Sequence, residues 1–216
     1  NKYIVSGSWD KTVRLWDAVS KQKIYTFEGH TGTVNSVGFS PDGQYIVSGS
    51  DDNQIIVWDI KTKEKKIFKG HTNKVTQVSF LHNGQKILSS SFDNTIKAWD
   101  TNSGKELATL IAVDSTDWVV TTPSGLFDAS PGAMKLMHYV VNHPSDQNKP
   151  WKVIELEQLK QRYYQPGLLP ILMGFRNEPL RQVPAFENVS LPPDVTLSIR
   201  NDKLLVQLTN RTNGIG

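Results

Sequence analysis

The sequence lacks several features that would place it at once in a functional class. Its 216 residues contain no cysteine, which excludes disulfide bonds, thiolate metal sites and a cysteine nucleophile within them. Its apolar runs are only a few residues long, so we expect no helical segment that spans a bilayer. The net charge of +3 is mild. The 6 tryptophans are more informative, because three of them stand directly before an aspartate.

Two short landmarks recur along the first half of the chain at a spacing of about forty residues. Trp-Asp begins at Trp16, Trp58 and Trp99, with spacings of 42 and then 41 residues, and Gly-His begins at Gly29 and Gly70. The text between the landmarks also repeats, since VNSVGFSPDGQYIVSGSDDNQIIVWD is matched by VTQVSFLHNGQKILSSSFDNTIKAWD. Agreement at this density indicates an internal repeat.

Each repeat reads as four short strands separated by turn residues. In one repeat we predict strands over 34–39, 45–50, 55–58 and 63–68, with Ser-Pro-Asp-Gly at 40–43 as the first turn. Four strands with Gly-His and Trp-Asp landmarks resemble the blades of the WD-repeat β-propeller family over residues 1–110. The resemblance implies an all-β fold, a partial propeller of about three and a half blades. Because a propeller closes with about four or more blades, the chain is expected to be a piece of a longer protein.

A fourth, degenerate blade is predicted over 111–141 from the spacing of turn glycines. Gly43, Gly84 and Gly125 are each 41 residues apart, and TPSG at 122–125 repeats SPDG at 40–43. Strands are expected at 118–121, 126–130 and 135–141, while Gly-His and Trp-Asp are lost. The complete blade prediction is a partial blade over 1–28, blades over 29–69 and 70–110, and the degenerate blade over 111–141.

Ser, His and Asp recur together in the repeats, a combination that also occurs in nucleophilic catalysis. A structural interpretation is favoured, because the set repeats at a fixed offset with a tryptophan attached, whereas an enzyme needs one active site. In the resembled family the matching residues form a buried hydrogen-bond chain that links the inner loops to the third strand. The residues in question are His30, Ser48, Asp52, Trp58, His71, Ser89, Asp93 and Trp99, with Ser6, Asp10 and Trp16 as the surviving part in the first repeat.

The resemblance also implies where partners bind, namely on loops before the network aspartate and after the Gly-His histidine. The implied positions are Trp9, Thr33, Asn35, Asp51, Lys74, Thr76, Phe92, Ser115 and Asp117. Trp9 and Phe92 are aromatic residues in tight turns, and aromatic anchors dominate protein–protein hot spots. The alternative is that both rings pack on neighbouring loops.

A lysine-rich stretch over 61–69 admits nucleic-acid binding as an alternative function. It falls on the outermost strand of a blade, where lysines prevent edge-to-edge pairing, and it lacks the interleaved aromatics of single-strand binders. Edge protection is therefore favoured. No metal-ligand spacing is found around His82, His138 or His143, and we expect no metal, cofactor, small-molecule substrate or membrane partner.

The remaining residues predict a change of architecture after the propeller. We expect a polar loop from Asn142 to Pro150, a helix of about 12–14 residues opening at Pro150-Trp151, and a second short helix over 168–173. Together these make a loop and helical segment over 142–174. A linker over 175–192 is followed by two strands around Asn201-Asp202, the start of a β-sandwich-like domain over 193–216.

The second half has a resemblance of its own. DWVVTTPSGLFDAS at 117–130, RYYQPGLLPILMG at 162–174 and VQLTNRTNGIG at 206–216 resemble the junction in bacterial multidomain WD-repeat proteins. In those proteins the propeller is followed by a β-sandwich-like module and often by a caspase-like cysteine peptidase domain. No such cysteine exists in this chain.

Together these observations predict a non-catalytic, cytoplasmic interaction scaffold or sensor that binds a protein or peptide through its inner-face loops. One alternative is a propeller that regulates a caspase-like peptidase domain of the same polypeptide, outside these residues. The other alternative is nucleic-acid binding through the lysine-rich edge.

Overall fold

The structure is a computed structural model, and it describes residues 2–81, 83–142, 151–183, 193–200 and 203–210. The chain divides into two compact units, residues 1–109 and residues 110–216. The described part is mostly β, with antiparallel sheets and few helices. Three predicted segments fall partly outside the described residues: the loop over 142–150, the linker over 175–192, and the β-sandwich-like domain over 193–216 with its turn at Asn201-Asp202. His82 and His143 also lie outside them.

The first unit consists of three sheet-forming repeats that follow one another along the chain, as the spacing of the landmarks predicts. The strands of the first repeat are β1 (Tyr3–Gly7), β2 (Val13–Asp17) and β3 (Lys23–Phe27). Those of the second are β4 (Val34–Phe39), β5 (Tyr45–Ser50), β6 (Ile55–Asp59) and β7 (Lys65–Phe68). Those of the third are β8 (Val75–Phe80), β9 (Lys86–Ser91), β10 (Thr95–Asp100) and β11 (Glu106–Ala112). The strands predicted for the second repeat are confirmed to within two residues at each end.

Within each repeat, neighbouring strands pair antiparallel through tight turns. In the second repeat the order is β4-β5-β6-β7, and Ile46 lies opposite Trp58. The β5–β6 turn needs a left-handed residue, which is Asn53 (φ 67°); the equivalent positions are Lys11 and Asn94. Asparagine tolerates this conformation better than most residues because its short side chain can bond to the local backbone.

The core of this unit lies between successive repeats. One cluster joins the first two repeats and includes Leu15, Phe27, Ile46, Ile56 and Trp58. A second cluster joins the second and third repeats, with Val57, Phe68, Val75, Ile87 and Trp99. Because apolar side chains project from both faces of β5 and β6, the sheet of the second repeat is buried on two sides, which explains the nearly continuous apolar runs of these strands.

The second unit corrects the predicted degenerate blade. Its first two strands are present as β12 (Trp118–Thr121) and β13 (Phe127–Ala129), which pair antiparallel. The strand expected over 135–141 begins only at His138, because the helix α1 (Pro131–Leu136) occupies its first two residues. Ser130 caps that helix by accepting a hydrogen bond from the Ala133 N–H, and Pro131 suits the first helical turn.

A strand does follow, β14 (His138–Asn142), but its partner is β15 (Trp151–Glu155) rather than β13. The prediction of a helix opening at Pro150-Trp151 is therefore wrong over its first residues. The helix α2 (Leu156–Tyr163) begins only after β15, because pairing with β14 extends residues 151–155. The second short helix is confirmed as α3 (Leu168–Met173).

The last described strands are β16 (Pro193–Arg200) and β17 (Lys203–Asn210), an antiparallel pair in which Arg200 lies opposite Lys203. Two strands were predicted here, and both are present. Elsewhere in the second unit a buried cluster gathers Ile111, Phe127, Met134, Leu159 and Tyr163, among others. The buried Asp128 accepts hydrogen bonds from the N–H groups of Gly167 (2.7 Å) and Leu168 (3.3 Å), which fixes the start of α3 on β13.

Candidate functional site

A chain of buried polar side chains runs through the second repeat. The indole Nε1 of Trp58 donates to Ser48 Oγ at 2.8 Å, and Ser48 Oγ lies 2.8 Å from His30 Nε2. His30 Nδ1 lies 2.8 Å from Asp52 Oδ2. Asp52 also accepts from the Thr31 N–H, so the loop that carries His30 is held to the β5–β6 turn. Four residues from three parts of the repeat are thus joined end to end.

The direction of each proton in this chain follows from the charge of Asp52. Burial alone raises the pKa of Asp52, but the hydrogen bonds from Thr31 and His30 outweigh it and leave that pKa below its ordinary value. As an anion, Asp52 can only accept, so His30 Nδ1 donates to it, and Nε2 then accepts from the Ser48 hydroxyl. Burial lowers the pKa of His30 below 6.5 against the opposing effect of Asp52, which keeps this imidazole neutral at pH 7.

The third repeat contains the same arrangement. Trp99 Nε1 donates to Ser89 Oγ at 2.8 Å, and His71 lies 2.7 Å from both Ser89 Oγ and Asp93 Oδ2. A further hydroxyl, that of Thr95, donates to Asp93 Oδ1 at 2.6 Å. Burial raises the pKa of Asp93, but the hydrogen bonds from His71 and Thr95 more than compensate and lower it strongly.

In the first repeat, the described residues contain only part of this chain of hydrogen bonds. Trp16 Nε1 donates to Ser6 Oγ at 2.9 Å, as in the other repeats. Asp10 accepts instead from the Thr12 N–H, the Thr12 hydroxyl and the Arg14 guanidinium. These contacts are local to the β1–β2 turn and exposed, and they lower the pKa of Asp10, with the Thr12 hydroxyl as the largest cause.

The geometry shows that this Ser-His-Asp set has a structural role. Ser48 and Ser89 are 0% and 2% exposed, so neither hydroxyl can reach an external substrate. Each hydroxyl is also occupied on both sides, by an indole N–H and by an imidazole nitrogen. A fully paired buried network of this kind fixes the strand register at little energetic cost.

One polar cluster was not foreseen from the sequence. Lys97, on β10, is buried, and its Nζ donates to Glu106 Oε2 and to Thr109 Oγ1, both at 2.8 Å. The equivalent residues of the second repeat are Ile56, Lys65 and Phe68. The sequence did contain a signal for this cluster. From the second repeat to the third, the apolar Ile56 is replaced by Lys97, and Lys65 is replaced by Glu106.

Three lysines of the predicted edge, Lys63, Lys65 and Lys66, are engaged with their neighbours. Lys63 Nζ lies 4.8 Å from the centroid of the Tyr25 ring, and Lys65 Nζ lies 5.9 Å from that of Trp58. Lys66 Nζ donates to the backbone oxygen of Asn102, in the third repeat. These contacts bind the outer strand to adjoining side chains and carbonyls, whereas nucleic-acid binding requires ammonium groups directed at phosphates.

Of the predicted partner-binding residues, two are aromatic and largely exposed. Trp9 is 88% exposed and Phe92 is 64% exposed. They occupy equivalent positions in the first and third repeats, each directly before the aspartate of its tight turn. Within the part of the chain that the structure describes, neither ring is buried against a neighbouring loop.

The equivalent residue of the second repeat, Asp51, is part of a polar clasp with Asn35 and Lys74. Asn35 Nδ2 donates to Asp51 Oδ1 and Lys74 Nζ to Asp51 Oδ2, both at 2.8 Å. These hydrogen bonds, that of Asn35 first, lower the pKa of Asp51. Asn35 also donates to the backbone oxygen of Val75 at 2.9 Å. The Asn35–Asp51–Lys74 clasp therefore ties the second repeat to the third.

The other predicted positions are partly occupied. The backbone oxygen of Thr33 accepts from the Asp51 N–H at 2.9 Å, and the Thr76 hydroxyl lies 2.9 Å from Ser90 Oγ. Ser115 and Asp117 belong to the second unit. Ser115 is exposed, while Asp117 accepts from the Ser130 hydroxyl at 2.6 Å. The geometry of the first unit thus brings together Asn35, Asp51 and Lys74.

Neither a metal-binding cluster nor a membrane-spanning helix is found among the described residues. Among them, no group of three His, Asp or Glu side chains is placed to hold a metal ion. None of the helices described is both long and apolar enough to cross a membrane.

Comparison with known proteins agrees with the repeat architecture. Residues 1–17, 21–59 and 62–100 match the family described as WD domain, G-beta repeat. The first segment contains β1 and β2, and the second and third each contain the outer strand of one sheet, β3 or β7, followed by the first three strands of the next. Each segment ends at a Trp-Asp landmark, so the family match follows the repeat that the sequence shows.

Similar curated proteins match over a single repeat. A guanine nucleotide-binding protein subunit beta of Oryza sativa subsp. indica is 56% identical over 41 residues, 18% of this chain and 11% of that protein. The small ribosomal subunit protein RACK1y of Oryza sativa subsp. japonica is 50% identical over 40 residues, 18% of this chain and 12% of that protein. The nuclear distribution protein PAC1 of Mycosarcoma maydis is 42% identical over 43 residues. The aligned region thus spans about a tenth of the length of these relatives.

Proposed function

We propose that this chain is part of a WD-repeat β-propeller that serves as a non-catalytic interaction scaffold. It binds a protein or peptide partner through the loops that carry Trp9 and Phe92. The observation that carries the proposal is the exposure of these two aromatic side chains at equivalent turn positions of a rigid repeat. Such side chains cost hydration free energy while exposed, and burial of a large aromatic side chain dominates the energetics of many interfaces.

Hydrogen bonds fix the conformation of the two turns that carry these rings. The turn after Trp9 is closed by hydrogen bonds from Thr12 to Asp10, and the turn after Phe92 is tied to His71 through Asp93. The Asn35–Asp51–Lys74 clasp holds the repeat between them to its neighbour. Because the backbone is already ordered, little conformational entropy is lost when a partner covers the rings. We assign Trp9 and Phe92 as anchors and the clasp residues as positioning residues.

The test compares partner binding by the wild type and by the double variant Trp9→Ala/Phe92→Ala. Partners are first captured from a lysate of the source cells, identified by mass spectrometry, and then measured by calorimetry as purified proteins. Loss of two anchor rings is expected to weaken binding by about 2 kcal/mol or more, which is roughly a thirtyfold rise in Kd. Circular dichroism should show an unchanged fold, because neither side chain is buried.

Val19→Ala is the matched control. Val19 is 86% exposed but lies in the turn between β2 and β3, away from the β1–β2 turn in sequence. Its removal should leave the Kd within about twofold of the wild type. An unchanged Kd in the double variant would remove Trp9 and Phe92 from the binding face.

A second proposal rests on the sequence resemblance of residues 117–130, 162–174 and 206–216 to the junction of bacterial multidomain WD-repeat proteins. In this proposal the propeller regulates a caspase-like cysteine peptidase domain of the same polypeptide. The test is the sequence of the parent gene beyond the codon for Gly216. A downstream domain with paired Cys and His residues is expected, and a complete reading frame without one rejects the proposal.

A further inference from the structure

The buried cluster of Lys97, Glu106 and Thr109 implies a break in the regular geometry of β11. Lys97 Nζ donates to Glu106 Oε2 and to Thr109 Oγ1, and the Thr109 hydroxyl donates to Glu106 Oε1. Glu106 and Thr109 therefore lie on the same face of β11. Successive side chains of a regular strand point to opposite faces, so two residues three positions apart cannot share one. An extra residue between them, a β-bulge, restores the shared face.

The outer strand of the first repeat, β3, contains such an extra residue. Lys23 lies opposite Trp16, and Tyr25 lies opposite Leu15, so the register shifts by one residue and Ile24 has no counterpart in β2. Ile24 is also 44% exposed, which agrees with a residue that the ladder does not use. A bulged outer strand is thus compatible with this repeat.

The outer strand of the second repeat, β7, is regular. Residues 65–68 pair one for one with residues 55–58 of β6. This difference accounts for the unequal spacing of the Trp-Asp landmarks. Phe27 follows Trp16 by 11 residues, whereas Phe68 follows Trp58 by 10, and each phenylalanine precedes the next Trp-Asp tryptophan by 31 residues. The spacing of 42 rather than 41 therefore arises from the bulge in β3.

The equivalent extra residue of β11 is Leu107. It follows its Trp-Asp tryptophan by eight residues, as Ile24 does in the first repeat. With Leu107 as the extra residue, Thr109 lies opposite Lys97 and on the same face, as the hydrogen bonds require. The structural counterpart of Thr109 in the second repeat is then Ile67, one residue before the position that sequence offset alone gives.

We propose that Lys97, Glu106 and Thr109 form a register lock, which holds a one-residue bulge at Leu107 in β11. The outer strands of the first two repeats each end in a buried phenylalanine, and β11 contains none. The lock supplies the register signal that the phenylalanine gives elsewhere. A one-residue slip turns Thr109 to the opposite face and leaves the buried ammonium group short of a partner, which is costly.

The first test deletes Leu107 from the full chain. If Leu107 is the extra residue, its deletion gives a regular strand in which Glu106 and Thr109 still share a face and the lock is kept. The urea midpoint of unfolding, followed by tryptophan fluorescence, should fall by less than about 0.5 M. A chain without Leu107 that loses about 1 M or more, or that does not fold, overturns the proposal.

Two further deletions calibrate this result. Deletion of Ile24, the extra residue of β3, should be tolerated in the same way. Deletion of Lys66 should not, because β7 has no extra residue and the deletion turns Ile67 and Phe68 to opposite faces. Phe68 is 1% exposed, so its midpoint should fall by more than about 1 M. The proposal requires that deletion of Leu107 resemble that of Ile24 rather than that of Lys66.

The second test removes the lock and keeps Leu107. The triple variant Lys97→Ile/Glu106→Lys/Thr109→Ile carries the side chains that the second repeat has at the three structural positions, a combination that folds there. Without the lock, β11 should populate two registers. The amide NMR signals of residues 106–109 should then double, with the minor set at about 10% of the intensity or more, whereas the wild type shows one set.

Deletion of Leu107 in the triple variant is the matched control. It should restore one set of signals, because a strand without an extra residue has no bulge to place. A single set in the triple variant with Leu107 present overturns the lock, and so does a triple variant that circular dichroism shows to be unfolded. None of these outcomes depends on the binding of a partner to Trp9 or Phe92.

Discussion

Removal of one buried hydroxyl, in the variant Ser48→Ala, should destabilise the protein far more than removal of its counterpart in the first repeat. The Ser48 hydroxyl accepts from Trp58 Nε1 and donates to His30 Nε2, each at 2.8 Å. The residues that carry these two groups are 2% and 6% exposed, so water cannot replace the lost partner. Each orphaned buried group costs about 1–3 kcal/mol, so the two together cost about 2–6 kcal/mol.

Ser6→Ala is the matched control for this prediction. It orphans only the Trp16 N–H, because within the described residues no imidazole bonds to Ser6. Both Ser6 and Trp16 are half-buried, so water can satisfy the indole and the expected cost is below about 1 kcal/mol. Ser89→Ala should behave as Ser48→Ala does, since Ser89 makes the same two contacts.

The assay is equilibrium unfolding in urea, followed by tryptophan fluorescence and by circular dichroism. A double-mutant cycle with Trp58→Phe isolates the indole–hydroxyl interaction, and we expect a coupling free energy of about 1 kcal/mol or more. If Ser48→Ala costs no more than Ser6→Ala, the polar chain does not stabilise the repeat, and the structural assignment of the Ser-His-Asp set would be refuted.

Two further predictions concern burial and charge. Ile4→Lys should change the free energy of unfolding by less than about 1 kcal/mol, because Ile4 is 54% exposed. The equivalent changes Ile46→Lys and Ile87→Lys place a charge at positions that are 0% exposed and should cost about 3 kcal/mol or more, measured by urea unfolding. Equal costs at the three positions would contradict the described packing. Because the folded protein holds the pKa of His30 below 6.5, the unfolded chain binds more protons as the pH falls. The stabilisation from neutral His30 is complete above about pH 7 and is lost as the pH falls through 6.5 towards the folded pKa. An NMR titration of the His30 imidazole measures this, and a pKa above 6.5 would show that Asp52 outweighs burial.

Several elements of the fold were readable from the sequence because they are local and repeated. The spacing of Trp58 and Trp99 located the four strands of the second repeat and the four of the third, and Gly43 and Gly84 marked their turns, both with positive φ. Gly125 also has a positive φ, and the strands on either side of its turn are present. Repeated text gives independent copies of the same signal, so an error in one copy is corrected by the others.

The sequence signal failed where a strand depends on a distant partner. Residues 151–155 were expected to be helical, but they pair with β14 across a long connection. A strand was expected over 135–141, but residues 135 and 136 end the helix α1, whose start signal at Ser130 and Pro131 the blade alignment obscured. A degenerate repeat no longer carries the landmarks that would correct such an assignment.

The candidate site divides in a similar way. Membership of the polar chain could be read from the recurrence of Ser, His, Asp and Trp at fixed offsets, because the same residues recur wherever the same contacts are made. The exposure of each candidate partner-binding side chain could not be read from the sequence, because it depends on which residues of the neighbouring repeats lie beside it. Only the tertiary structure separates the exposed Trp9 and Phe92 from Asp51, which the side chains of Asn35 and Lys74 hold between two repeats.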